Sequence, residues 1–244
     1  MISKYPLIIS IVLGIIPTII WLIYWLQHDK KNPEPKKIIL MCFVFGMLVV
    51  PAVSFINFIV KKIVVGSSTL SIDILFYNAY FYAIFLIVIW AAVEEFFKYV
   101  AAYVGGFSTK EYNEPLDALV YMITAALGFA AMENIFYIYS TTLQESSYIT
   151  LLVGNGRFIG ATLLHVASSA IIGLFMAFSY GKIAEVRTSY TIIGFIFAIT
   201  LHSMFNSFII RQENYALMAY VIVWISIIGI ILLIEKIKYL KNKI

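Results

Sequence analysis

Apolar runs of about 20 residues recur along the whole of this 244-residue chain, and nothing else in the sequence constrains its fold as tightly. About 20 residues of helix cross the roughly 30 Å hydrocarbon core of a bilayer, whereas a barrel strand needs only about ten alternating residues. In lipid a helix satisfies its backbone amides within the segment itself, so runs of this length predict helices. Composition agrees: 62% of residues are hydrophobic and 12% charged, against roughly a quarter charged in soluble domains. The expected fold is all-α, a polytopic transmembrane helical bundle of about seven spans, forming a single integral membrane domain over residues 1–244.

The first span is expected at Tyr5–Leu26 and is retained, because no small-residue cleavage site follows the apolar run. A polar loop, Gln27–Lys37, leads to a second span at Ile38–Val60, kinked at Pro51. Beyond the short polar connector Gly66–Asp73, the next apolar stretch is too long for one simple span. Its opening is rich in tyrosine (Tyr77, Tyr80, Tyr82), as membrane interfaces are, so the third span is placed from near Ile84 to Gly105-Gly106. The remaining spans are expected at Pro115–Ser140, Arg157–Gly181, Tyr190–Ile210 and Tyr215–Ile234. Alternating loops gather Lys30, Lys31, Lys36, Lys37, Lys110, Lys182, Arg187 and the C-terminal lysines on one side. Lys4, Lys61, Lys62, Arg157 and Arg211 fall on the other. Basic residues collect on the cytoplasmic side, which predicts an external N-terminus and a cytoplasmic C-terminus in a multi-pass cell-membrane protein. Lysines spaced between apolar runs serve orientation, so nucleic acid is excluded as a partner and the lipid bilayer is the expected one. The one cysteine, Cys42, can form no intrachain disulfide.

Against this background Glu94-Glu95 and Lys98 stand out, because each charge at the centre of a membrane helix costs roughly 2.5–3.5 kcal/mol on insertion scales. The other ionisable residues inside spans are Glu133, His165 and His202, with Asp117 near a helix start. Counted at ~1.5 Å per residue, His165 lies about 12 Å from Arg157, His202 about 13 Å from Arg211, and Glu133 about 12 Å from Thr141. Glu94 lies about 15 Å from Ile84, so all four fall in one layer slightly outside the midplane. On one helix Glu94 and Lys98 share a face, while Glu95 is turned by about 100° and shares a face with Tyr99. His202 and Asn206, four apart, aim an imidazole and an amide at one point. Plainer readings exist for each. An ion pair with Lys98 accounts for one glutamate and leaves the other. His165 alone is as well explained by a polar helix contact, and Glu133 by a hydrogen bond to a neighbouring helix. Tyr99 and Tyr137 suit packing, and Asp117 suits a carboxylate at a helix start.

Taken in order, Glu94-Glu95-x2-Lys98, Glu133-Asn134-x2-Tyr137, His165 and His202-x3-Asn206 on successive spans resemble the PrsW family of intramembrane proteases. More remotely they resemble the type II CAAX prenyl endopeptidases. That group has an arginine one place beyond Lys98 and a phenylalanine where this chain has Ala161, which leaves PrsW the closer. The resemblance covers roughly Trp90–Asn206, within a motif-bearing catalytic core of about 84–210. It implies an endopeptidase acting on a single-span membrane protein, with the first cut of an anti-sigma factor in stress signalling as the family association. The implied catalytic set is Glu94, Glu95, Glu133, His165, His202 and Asn206. In this set Glu94 serves as general base, Glu95 tunes its charge, and His202 with Asn206 bonds the oxyanion. Glu94, Glu133, His165 and His202 also form a candidate metal set. One glutamate and two histidines suit zinc, yet the same side chains serve a glutamate-activated water without metal, so the zinc cofactor is left open. No His-Glu-x2-His helix is present. A proton- or ion-coupled transporter and a non-catalytic scaffold like the Aph subunit of gamma-secretase are the competing classes. No internal repeat favours the former, and retention of every polar member disfavours the latter.

Overall fold

A computed structural model describes residues 5–29, 32–65, 72–210 and 215–241. Lys4, Lys30, Lys31, the predicted connector from Gly66 to Ser71, Arg211 and Lys243 lie outside the described residues, as do the side chains of Tyr77 and Tyr80. The described chain is helical, with α1 at Pro6–Leu26, α2 at Lys36–Val65, α3 at Ile72–Ala102 and α4 at Pro115–Gln144. It continues with α5 at Ser147–Gly156, α6 at Thr162–Phe178, α7 at Ala184–Ile210 and α8 at Ala216–Lys241. A π turn, Arg157–Ala161, joins α5 to α6 so that the two form one continuous rod. Among the described residues six helical segments are long and apolar enough to cross a membrane. The seventh rod, α3, carries Glu94, Glu95 and Lys98.

Two predicted boundaries are corrected. The third helix begins at Ile72, well before Ile84, so much of the tyrosine-rich stretch is helix rather than an approach to one. The fifth rod begins at Ser147 rather than Arg157. A short loop of Glu145 and Ser146, with the Ser146 hydroxyl accepting from Ile149 N, starts that helix ten residues early. Arg157 is therefore not a loop residue but lies inside a rod. Asp117 is the predicted helix-start carboxylate: it accepts from the backbone amides of Asn113 and Glu114 at 2.9 and 2.8 Å, closing a capping box ahead of Pro115.

Helix α4 is the axle. Its best membrane window is 89% buried, against 17% for α1 and 28% for α7 and α8. Glycines bring its neighbours within backbone contact. A methyl group on Gly128 would sit 1.9 Å from the Phe43 carbonyl oxygen, and one on Gly46 2.1 Å from that of Ala125, so α2 lies directly on α4. Gly14 does the same for α1 against Ala131 and Ile135, and Gly173 for α6 against Ala118. Helix α3 packs on α2 and α7, and α7 packs on α6. Polar side chains of α3, α4, α6 and α7 thus meet in the interior.

Candidate active site

Glu95 is the buried centre of the polar cluster and is fully enclosed. Its Oε1 accepts from Lys98 Nζ at 2.6 Å, from the Ser168 hydroxyl at 2.7 Å and from His202 Nδ1 at 2.6 Å. Its Oε2 accepts from the Ser169 hydroxyl at 3.0 Å. A charge inside a membrane protein persists when its lone pairs are matched in this way. The ion pair weighed for one of the two glutamates falls on Glu95. Lys98 pairs with Glu95 at three residues' spacing, because Ser168, Ser169 and His202 draw Glu95 toward α6 and α7. The ammonium also reaches His165 Nδ1 at 3.1 Å and lies over the Phe129 ring, 5.2 Å from its centroid.

These contacts assign the protons on both imidazoles. An ammonium only donates, so His165 Nδ1 is bare and Nε2 carries the hydrogen, which it gives to Glu133 Oε2 at 3.0 Å. His202 is the reverse: Nδ1 donates to Glu95, leaving Nε2 with an open lone pair. That nitrogen faces Glu94 Oε2 at 3.5 Å, too far for a direct hydrogen bond. The Glu94 oxygen is buried and without a hydrogen-bond partner among the described residues. Two acceptors thus face each other across a gap that a bridging water or a cation would fill. Donor atoms of Glu94, His165 and His202 lie within 4.8 Å of one another.

Glu133 is the most open member of the cluster, its side chain 26% exposed. The Arg157 guanidinium donates to its Oε2 through Nη2 and to Asn134 Oδ1 through Nε, and stacks over the Tyr137 ring at 4.3 Å. Asn134 in turn donates to Thr162 Oγ1 at 3.0 Å, tying α4 to the start of α6. Five of the six predicted residues (Glu94, Glu95, Glu133, His165 and His202) therefore meet in one cluster. Asn206 stands one turn beyond His202, half-buried, and makes no hydrogen bond within it among the described residues. In the sequence Arg157 reads as a loop cation, Asn134 enters only within the Glu133-Asn134-x2-Tyr137 motif, and Thr162, Ser168 and Ser169 have no assigned site role. The apolar stretch Tyr148–Val153 ahead of Arg157 was the available signal, since it continues the helix past the arginine.

A family profile described as PrsW family intramembrane metalloprotease matches residues 34–232. Three proteins named Protease PrsW are similar to the chain. That of Geobacillus kaustophilus is 26% identical over 83% of this chain and 80% of its own length. That of Oceanobacillus iheyensis is 28% identical over 79% of each, and that of Bacillus subtilis 27% identical over 83% of each. No solved structure matches. The profile covers most of the chain, including every rod that contributes to the polar cluster, and the chain accordingly belongs to the PrsW family of membrane proteases.

Proposed function

We propose that the protein cleaves single-span membrane proteins at a peptide bond brought between Glu94, His165 and His202. The observation that carries this reading is the unbonded Glu94 carboxylate opposite the bare His202 nitrogen. Glu95 cannot take a proton on either oxygen without losing a donor there, whereas Glu94 Oε2 is free to do so. Glu94 accepts a proton from a water lodged in the gap, and the resulting hydroxide attacks the scissile carbonyl carbon. Asn206, with its amide unengaged, bonds the oxyanion. Glu94 then returns the proton to the departing amine as the C–N bond breaks. Glu95 holds His202, and Glu133 holds His165, so neither ring turns away.

The residues fit a divalent metal. One carboxylate and two imidazoles are the ligand set of many catalytic zinc sites, Glu94 presents an orphaned buried oxygen, and Glu95 on His202 Nδ1 is the carboxylate support such ligands use. Glu94, His165 and His202 would hold the ion, Glu94 through Oε2 with its second oxygen left to take the proton, and His165 joining once Lys98 releases Nδ1. A zinc ion there would supply Lewis-acid polarisation of the scissile carbonyl. The substrate class is an anti-sigma-factor-like single-span protein, as the family resemblance implies. With the N-terminus outside and the C-terminus cytoplasmic, His202 lies about 12 Å from the outer end of α7 at Ile210, which puts the cut toward the outer end of the substrate span.

The test uses protein in lipid vesicles and a designed single-span polypeptide with a fluorophore–quencher pair across the outer end of its apolar segment. Glu94→Gln and His202→Ala are expected to lose about 100-fold or more in kcat, and a strong chelator to stop cleavage until zinc is restored. Wild-type rates in both variants would overturn the site. Full activity in chelator would leave water activation to Glu94 alone.

A further inference from the structure

We infer that Arg157 is a positioning residue that acts through Glu133 on His165, a role that rests on the site proposed above. Three observations carry it. The first is where the chain turns. Arg157 is eight residues before His165, a separation that leaves their side chains about 80° apart on a regular α-helix. The π turn at Arg157–Ala161 takes up more residues per turn, and both side chains end on the same atom, Glu133 Oε2.

The second is the grip on the guanidinium. Nη2 donates to Glu133, Nε donates to the neighbouring Asn134, and the plane stacks on Tyr137. Asn134 is itself fixed by Thr162 at the first turn of α6. A planar fork satisfies two acceptors and a ring at once, which a lysine ammonium cannot do.

The third is exposure. Glu133 is 26% exposed while His165 is 3% exposed. Without Arg157, Glu133 is the member of the cluster with most freedom to swing toward the opening and leave the His165 Nε2–H without an acceptor. Lys98 would then be the ring's one remaining hydrogen-bond partner among the described residues. Among the described residues Arg157 makes no hydrogen bond or ion pair with Glu94, Glu95, His165 or His202; its effect on them passes through one carboxylate.

The experiment is a double-mutant cycle on Arg157 and Glu133 with the same single-span probe in lipid vesicles. Arg157→Gln is expected to lower kcat on the order of 10- to 100-fold, the range seen when supporting partners of a site are removed, with KM unchanged. Arg157→Lys recovers only part of that loss, and covers the case in which the glutamine variant fails to fold. Adding Arg157→Gln to Glu133→Gln should lower kcat no further, because both remove the same link. Multiplicative losses, a loss carried entirely by KM, or wild-type kcat in Arg157→Gln would each overturn the inference while leaving the Glu94 and His202 results standing. Normal kcat in Glu133→Gln would remove Glu133, and Arg157 with it, from the site.

Discussion

Glu94 and Glu95 are adjacent in the chain and opposite in circumstance. Glu95 has four hydrogen-bond donors and no exposure, whereas Glu94 holds a buried oxygen with no partner. Opposite stability effects follow. Glu95→Gln leaves the buried Lys98 without its carboxylate, and breaking a buried pair in this way costs about 3–5 kcal/mol. Glu94→Gln removes an unbonded charge, so its melting temperature should equal or exceed that of wild type, as is common where a site is held for function at a cost to stability. Thermal unfolding in one detergent would check both, and a Glu94→Gln variant that melts as early as Glu95→Gln would contradict the assignment. The sequence placed both glutamates in an apolar run and separated their expected roles, but not the contacts that set them apart, which are made by Ser168, Ser169 and His202 on other helices.

At the level of elements, the helices were legible because a span of about 20 apolar residues has one economical conformation in lipid. Their ends were less so. Tyrosines at an interface and tyrosines in a helix look alike in sequence, so the start of α3 moved from Ile84 to Ile72. An arginine ordinarily ends a span, and Arg157 was read that way until Glu133 and Tyr137 on α4 supplied its partners. The glycine contacts at Gly46 and Gly128 were not legible, because what they meet, Ala125 and Phe43, lies on another helix. Gly128→Ala would drive a methyl into the Phe43 carbonyl and separate α2 from α4. Overpacking of this kind costs about 1–3 kcal/mol, and because α4 carries Glu133, cleavage should fall with stability. Gly229→Ala, with nothing within 4 Å of the added carbon, is the matched control and should leave both unchanged.

For the whole molecule, moving Arg157 from a loop into a rod strengthens the charge bias that underlies the proposed orientation, since it takes one cation from the poorer side. Replacing the buried Cys42 by serine and placing single cysteines at Ser108 and Ser146, both exposed, tests that orientation. A membrane-impermeant maleimide applied to intact cells should label Ser146→Cys and spare Ser108→Cys; the converse pattern would invert the protein in the membrane.

The burial of α4 bears on how such a protein is made. Its window has a mean hydropathy of 1.6, the lowest of the six, while the outlying α1, α2 and α8 reach 2.5, 2.6 and 2.9. The strongly apolar α1 and α8 lie at the rim, whereas α4 and α3, which carries Asp73, Glu94, Glu95 and Lys98, become comfortable only once neighbours surround them. In chain order α1 and α2 come first, and the polar faces of α3 and α4 meet the serines and histidines of α6 and α7 only once those helices have followed. A chain that stalls before α6 leaves Glu95 with Lys98, on its own helix, as one of its four donors, a polar face by which membrane quality control would recognise an unfinished protease.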